Sequence, residues 1–92
     1  MTGVQIDPKY LKAHHNLGLV CEALNEIPRA REHFETALRL NEALANRSEW
    51  PYINYASFYN RRGEPVRALE LLAKALALKP DSDEAHYQAA KA

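Results

Sequence analysis

Three of the four histidines and the one cysteine lie between residues 14 and 33, where they could form a metal site or a Cys–His pair. The group consists of His14, His15, Cys21 and His33. His14 and Cys21 are seven residues apart and therefore share one face of a helix, but that face also carries Leu17 and Gly18. We therefore expect His14 and Cys21 to fill places in a core, and we predict no metal site.

The sequence contains no catalytic motif. It has no glycine-rich phosphate loop, no G-x-S-x-G elbow and no H-E-x-x-H zinc motif. The basic pair Arg61-Arg62 suits the C-terminal end of a helix, where positive charge is favourable, better than it suits a phosphate site. We predict that the chain is not an enzyme and requires no cofactor.

Five of the eight aromatic residues lie within ten positions, from Trp50 to Tyr59. At about 100° per residue along a helix, Tyr52, Tyr55 and Tyr59 share one face, which is the predicted core side. The opposite face carries Trp50, Ile53, Asn54, Ser57 and Arg61. Because exposed apolar groups rimmed by polar ones often mark binding sites, this opposite face is the candidate functional surface.

Composition limits the classes of protein and partner. Ninety-two residues fit one domain, and 47% hydrophobic with 26% charged residues is ordinary globular usage. Lys plus Arg and Asp plus Glu both number 12, which argues against a nucleic-acid or membrane-surface partner. The chain has no apolar run long enough to cross a bilayer and does not open with a signal peptide. Together with the single cysteine, this indicates a reducing, intracellular location.

The apolar pattern along the chain is helical. Hydrophobic residues recur at three- and four-residue steps, no segment alternates with period two, and Pro, Gly and Asn punctuate the pattern. Gly63 is placed to end a helix in the left-handed conformation. The sequence predicts five helices joined by short links, at residues 8–24, 27–45, 49–62, 65–78 and 82–91.

Two stretches of the chain carry the same pattern at a constant offset. Ala30, Phe34 and Ala37 have the spacing of Ala68, Leu72 and Ala75. At the same offset, Leu17-Gly18 and Cys21 match Tyr55-Ala56 and Tyr59, and Asn25 matches Gly63. This arrangement resembles the tetratricopeptide repeat, a helix–turn–helix unit of about 34 residues whose helices cross at small side chains.

The resemblance implies an all-α fold in which antiparallel helix–turn–helix repeats stack into a short right-handed superhelix. Residues 1–10 would be the tail of a preceding repeat or a lead-in, and residues 11–48 a first repeat with about four extra residues. Residues 49–82 would be the second repeat, and 83–92 the first helix of a truncated third. The chain is thus expected to be part of a longer array.

Two further expectations concern the first repeat. The extra residues either lengthen the helix at 27–45 by one turn, which we expect, or lengthen the loop that follows it. His14 and Cys21 stand where the family has large aromatic residues. The first unit should therefore pack less fully than the second.

The resemblance also implies a function, because the first helix of each tetratricopeptide unit lines a concave surface that commonly holds a partner's peptide. The residues that fall on this surface are Lys12, His15, Asn16, Leu19, Trp50, Ile53, Asn54, Ser57, Arg61 and Tyr87. Four are apolar or aromatic anchors, namely Leu19, Trp50, Ile53 and Tyr87. An amide row of Asn16, Asn54 and Gln88 can bond a peptide backbone, and Lys12 and Arg61 favour an acidic segment.

Other interpretations of the same residues stay open. Trp50 could pack against the helix at 27–45 or be covered by further repeats. The chain could self-associate through exposed apolar ends, or serve as the targeting segment of a larger enzyme. The two-carboxylate clamp of some tetratricopeptide co-chaperones is disfavoured, because only Asn54 matches it and Glu84 would repel a carboxylate.

Overall fold

The computed structural model describes residues 8–44 and 46–92, which form five helices and, within that part of the chain, no strand. The helices are α1 (Pro8–Ala23), α2 (Ile27–Glu42), α3 (Trp50–Arg61), α4 (Pro65–Leu78) and α5 (Asp83–Lys91). The predicted all-α helical repeat is confirmed. In the described residues no helix combines the length and the apolar composition needed to cross a membrane.

Helix α2 is shorter than we predicted. It ends at Glu42, where the hydrogen bonds pass from four-residue to three-residue steps: the amide of Ala43 is shared between Arg39 and Leu40, and the amide of Leu44 donates to Asn41. Helix α2 has 16 residues and its counterpart α4 has 14, so the extra length of the first repeat is divided between α2 and the 43–49 link rather than forming one full added turn. Residue 45, the predicted helix end, is outside the described residues, as are positions 1–7 of the predicted lead-in.

The chain divides into two compact units, which we call unit 1 (residues 1–46) and unit 2 (residues 47–92). In unit 1, α1 packs against α2. In unit 2, α3 packs against α4, and α5 packs against both. A helix pair is thus the element common to the two units, and unit 2 adds a third helix.

The core of unit 1 is built on a close approach between α1 and α2. A Cβ atom placed on Gly18 would lie 3.0 Å from the ring of Phe34, so only glycine fits there without a shift of the ring. Phe34 is buried between Ala30 and Ala37, which are buried themselves. The predicted small residues at the helix crossing are confirmed.

The core of unit 2 is larger and richer in aromatic residues. Its described apolar core residues are Tyr52, Ile53, Tyr55, Ala56, Phe58, Tyr59, Ala68, Leu71, Leu72, Ala75 and Ala85. The hydroxyl of Tyr59 donates to that of Tyr55 over 2.9 Å, and the two rings stack. The expectation that unit 1 packs less fully than unit 2 is confirmed.

Leu17 corrects one detail of the predicted core. Its side chain is 46% exposed, whereas Tyr55, at the matching position of unit 2, is 4% exposed. Within its own unit, α1 has one neighbouring helix, whereas α3 has two. The same helical position is therefore buried in unit 2 and largely open in unit 1.

Both units close their first turn with a residue of positive φ. Asn25 has φ 64° and Gly63 has φ 74°, and the two residues occupy matching positions of the repeated pattern. The next amide in each case donates five residues back, from Glu26 to Cys21 over 2.8 Å and from Glu64 to Tyr59 over 2.9 Å. These bonds satisfy carbonyls at the helix ends, and the predicted left-handed cap at Gly63 is confirmed.

Candidate peptide-binding face

Helix α3 is covered on two sides and leaves one strip of its surface open. Its buried residues, spaced at about 100° each, occupy more than half of the helix circumference, because α4 and α5 both pack against it. The remaining strip carries Trp50, Asn54, Ser57 and Arg61 at steps of four, three and four residues. We call these four residues the α3 face.

Ile53 does not belong to this face. Its side chain is 1% exposed and forms part of the core of unit 2. Its angular position around the helix axis is next to the α3 face. Because α5 packs against α3 in addition to α4, the core extends over Ile53. The prediction of Ile53 as an exposed anchor is wrong.

The α3 face offers three kinds of contact. Trp50 is 50% exposed, so its indole ring is open to a partner. Asn54 is partly exposed and can both donate and accept hydrogen bonds. Arg61 is exposed, and its Nη1 donates to Ser57 Oγ over 2.7 Å, a contact within one helix face that orients the guanidinium.

Acidic residues surround Trp50 at the start of the α3 face. An open depression there is lined by Glu49, Trp50, Lys79, Asp81, Ser82, Asp83 and Glu84. Four carboxylates face one ammonium group, so this end of the face has negative charge. Arg61 and Arg62 lie at the other end of α3, which gives the face a charge gradient along the helix.

Helix α5 places its two predicted contact residues differently. Tyr87 is 57% exposed, with the Lys91 ammonium 5.2 Å from its ring centroid. Gln88 is buried: its Nε2 donates to Glu84 over 2.9 Å, and its Oε1 accepts from Asn60 over 3.0 Å. The predicted amide row therefore loses Gln88, whose amide group bonds within unit 2.

In unit 1, α1 exposes most of its predicted contact residues. Lys12, Asn16 and Leu19 are exposed, whereas His15 is half-buried with its ring 5.8 Å from that of Phe34. Lys12, Asn16 and Leu19 are thus available to a partner, and His15 is only partly so.

The acidic surroundings of Trp50 were not evident from the sequence alone. The D-S-D-E run at 81–84 and Glu49 are far apart in sequence, and the turn before α5 brings them to one depression. The three carboxylates within residues 81–84 were the feature of the sequence that could have indicated an acidic site. Within the described residues, no group of three or more His, Cys, Asp or Glu side chains could hold a metal ion.

Two models of the tetratricopeptide repeat match the chain, one over residues 11–44 and one over residues 49–92. Between them they cover the helix pairs of both units. The chain belongs to the tetratricopeptide repeat family. Tetratricopeptide repeats form protein–protein interaction modules, and this chain is one of them.

Two curated proteins are similar to part of this chain. The antiviral innate immune response effector IFIT1 of Macaca fascicularis is 51% identical over 51 residues, and that of Homo sapiens is 49% identical over 51 residues. Each match covers 53% of this chain and 11% of the relative, so the chain matches about a tenth of their length. No solved structure matches the chain with comparable significance.

Proposed function

We propose that the chain is a non-catalytic module that binds an extended peptide segment of a partner protein on the exposed faces of its first helices. The observation that carries this proposal is the α3 face, where a half-exposed tryptophan lies in line with an amide and a guanidinium. Tyr87 on α5 adds an exposed aromatic ring in the same unit, and Lys12, His15, Asn16 and Leu19 are the candidate contacts of α1.

Each group on the α3 face suits a different part of a peptide. Trp50 is the apolar anchor, since aromatic residues commonly dominate binding energy at interfaces. Asn54 pairs with the peptide backbone, and Ser57 and Arg61 bind acidic or carbonyl groups. From the first to the last residue of α3 the rise is about 16 Å, which matches about five residues of extended peptide.

The charge gradient sets a preferred order of residues in the peptide. Carboxylates surround Trp50, so a basic residue is favoured there, and Arg61 favours an acidic residue at the other end. Electrostatic complementarity of this kind mainly fixes orientation and partner choice. The preferred ligand is therefore a short segment with one basic and one acidic end.

Selection of peptides from a random displayed library against the full chain tests this proposal. We expect the selected peptides to share a basic and an acidic residue about five positions apart. Their affinity should fall roughly tenfold or more in the variant Trp50→Ala with Asn54→Ala, since loss of a central aromatic anchor costs about 2 kcal/mol or more.

Val66→Ala is the matched control, because Val66 is an exposed apolar residue on α4, in the same unit but away from the α3 face. It should leave the affinity unchanged. Peptides that bind equally well to the Trp50/Asn54 variant would contradict the proposal, as would a selection that yields no binder.

Self-association is a second candidate, favoured by a row of exposed apolar side chains on α1. Leu17, Val20 and Leu24 are all exposed, although Tyr55 and Phe58, which match Leu17 and Val20 in unit 2, are buried. A second copy of the chain could cover this row. Sedimentation over a range of concentrations should then show a larger species that Val20→Glu abolishes and Val66→Glu preserves; a strict monomer excludes it.

A further inference from the structure

Two histidines from different helices of unit 1 meet nitrogen to nitrogen. Nδ1 of His14, on α1, lies 3.2 Å from Nδ1 of His33, on α2, and the two rings meet edge to edge, with centroids 5.4 Å apart and planes 29° apart. We propose that this pair is a metal-binding site that takes a divalent transition-metal ion such as Zn²⁺.

The distance between the two nitrogens fits a shared metal ion. Zinc binds imidazole nitrogen at about 2.0–2.1 Å, and two such bonds at a tetrahedral angle place their nitrogens about 3.3–3.4 Å apart. The observed 3.2 Å is slightly shorter, and the two nitrogens point nearly at each other, so both rings must turn to aim them at an ion that lies beside the line joining them. On binding, the hydrogen bond between the two Nδ1 atoms is replaced by two metal bonds, and both neutral rings carry their proton on Nε2.

The second unit shows that the fold does not need histidine at these places. At the offset that carries Ala30 onto Ala68, His14 corresponds to Tyr52 and His33 to Leu71. Tyr52 and Leu71 are both buried, so unit 2 fills the matching positions of its core without a histidine. In unit 1 the matching places hold two half-buried imidazoles.

The chemistry of the pair selects the class of metal. Imidazole is a ligand for zinc, copper and nickel, whereas Mg²⁺ and Ca²⁺ require oxygen ligands. Since no third His, Cys, Asp or Glu joins the pair among the described residues, water completes the coordination shell. Bound metal would link α1 to α2 and stabilise unit 1 by mass action.

Titration of the metal-free full chain with Zn²⁺ at pH 7.5 tests the site, followed by calorimetry and by the imidazole ¹⁵N resonances. We expect one Zn²⁺ per chain, large shifts confined to Nδ1 of His14 and His33, and a rise in the midpoint of thermal unfolding. Mg²⁺ should produce none of these changes.

Two variants separate ligation from packing. The variant His14→Tyr with His33→Leu copies the residues of unit 2 and should lose both the binding and the thermal shift. His86→Gln should retain them, because His86 lies on α5 and bonds the carbonyl of Pro80. The proposal is overturned if the wild-type imidazole resonances of His14 and His33 do not respond to Zn²⁺, or if the Tyr/Leu variant binds as the wild type does.

Discussion

At the scale of single residues, the two units use different side chains for the same backbone conformation. Asn25, with φ 64°, and Gly63, with φ 74°, both follow a first helix at matching positions of the two units. Glycine adopts this conformation at no steric cost, and asparagine tolerates it better than most residues do. The turn therefore constrains the residue type more strongly than the surrounding packing does, since no atom lies within 4 Å of a Cβ built on Gly63.

Substitutions at Gly63 should rank by their tolerance of positive φ. Gly63→Ala is expected to lower the free energy of unfolding by about 1–2 kcal/mol, because a Cβ strains the left-handed conformation. Gly63→Asn, which copies Asn25 of unit 1, should cost less. Urea unfolding followed by circular dichroism measures both values. Equal losses for the two variants would show that the strain is not what determines this position.

At the scale of helices, the number of neighbours determines which residues are buried. The spacing of apolar residues predicted the five helices and the core face of α3 with Tyr52, Tyr55 and Tyr59, because that information is local. The burial of Ile53 and Gln88 was not predictable from spacing, since it depends on the packing of α3 against α5, more than twenty residues later. For the same reason, the acidic depression beside Trp50 was not predictable from the sequence, because its lining residues come from distant parts of the chain.

Where the two helices of a unit cross, the side chains that face each other must have complementary volumes. Unit 1 combines Gly18 with Phe34, whereas unit 2 combines the larger Ala56 with the smaller Leu72 at the matching positions, and all four are buried. In unit 1 there is no room for a Cβ on position 18 while Phe34 is present. The two pairs are alternative solutions for one close approach.

A double-mutant cycle should detect this pairing. Gly18→Ala alone is expected to destabilise the chain by about 1–3 kcal/mol through overpacking, and Phe34→Leu alone through lost contacts. The double variant, which copies unit 2, should be more stable than the sum of the single changes predicts, by roughly 0.5–3 kcal/mol. Gly18→Ala combined with Val66→Ala is the control and should be additive; additivity in the Gly18/Phe34 cycle itself would contradict the pairing.

At the scale of the whole molecule, stability is distributed unevenly. Unit 2 holds most of the described apolar core, whereas α1 of unit 1 keeps several large apolar side chains exposed. Regions with fewer buried contacts open at lower free energy. The two helix pairs share a pattern but are not expected to share a stability.

Native-state hydrogen exchange should separate the two units. We expect the amides of Ala30 and Ala37 in α2 to exchange roughly tenfold or more faster than those of Ala68 and Ala75, which match them in α4. Because all four residues are buried alanines, the intrinsic chemistry is comparable. Identical protection in the two helices would mean that the chain opens as one cooperative body.

The 43–49 link, which holds part of the extra length of the first repeat, has a consequence for how such a sequence tolerates insertions and deletions. Because these link residues lie between helices rather than inside one, a change in their number does not require either helix pair to rotate its apolar stripe. Insertions or deletions in the 43–49 link should leave the apolar residues of each helix pair on their core faces. A one-residue insertion within α2 or α4 would instead rotate every following side chain of that helix by about 100° around the helix axis.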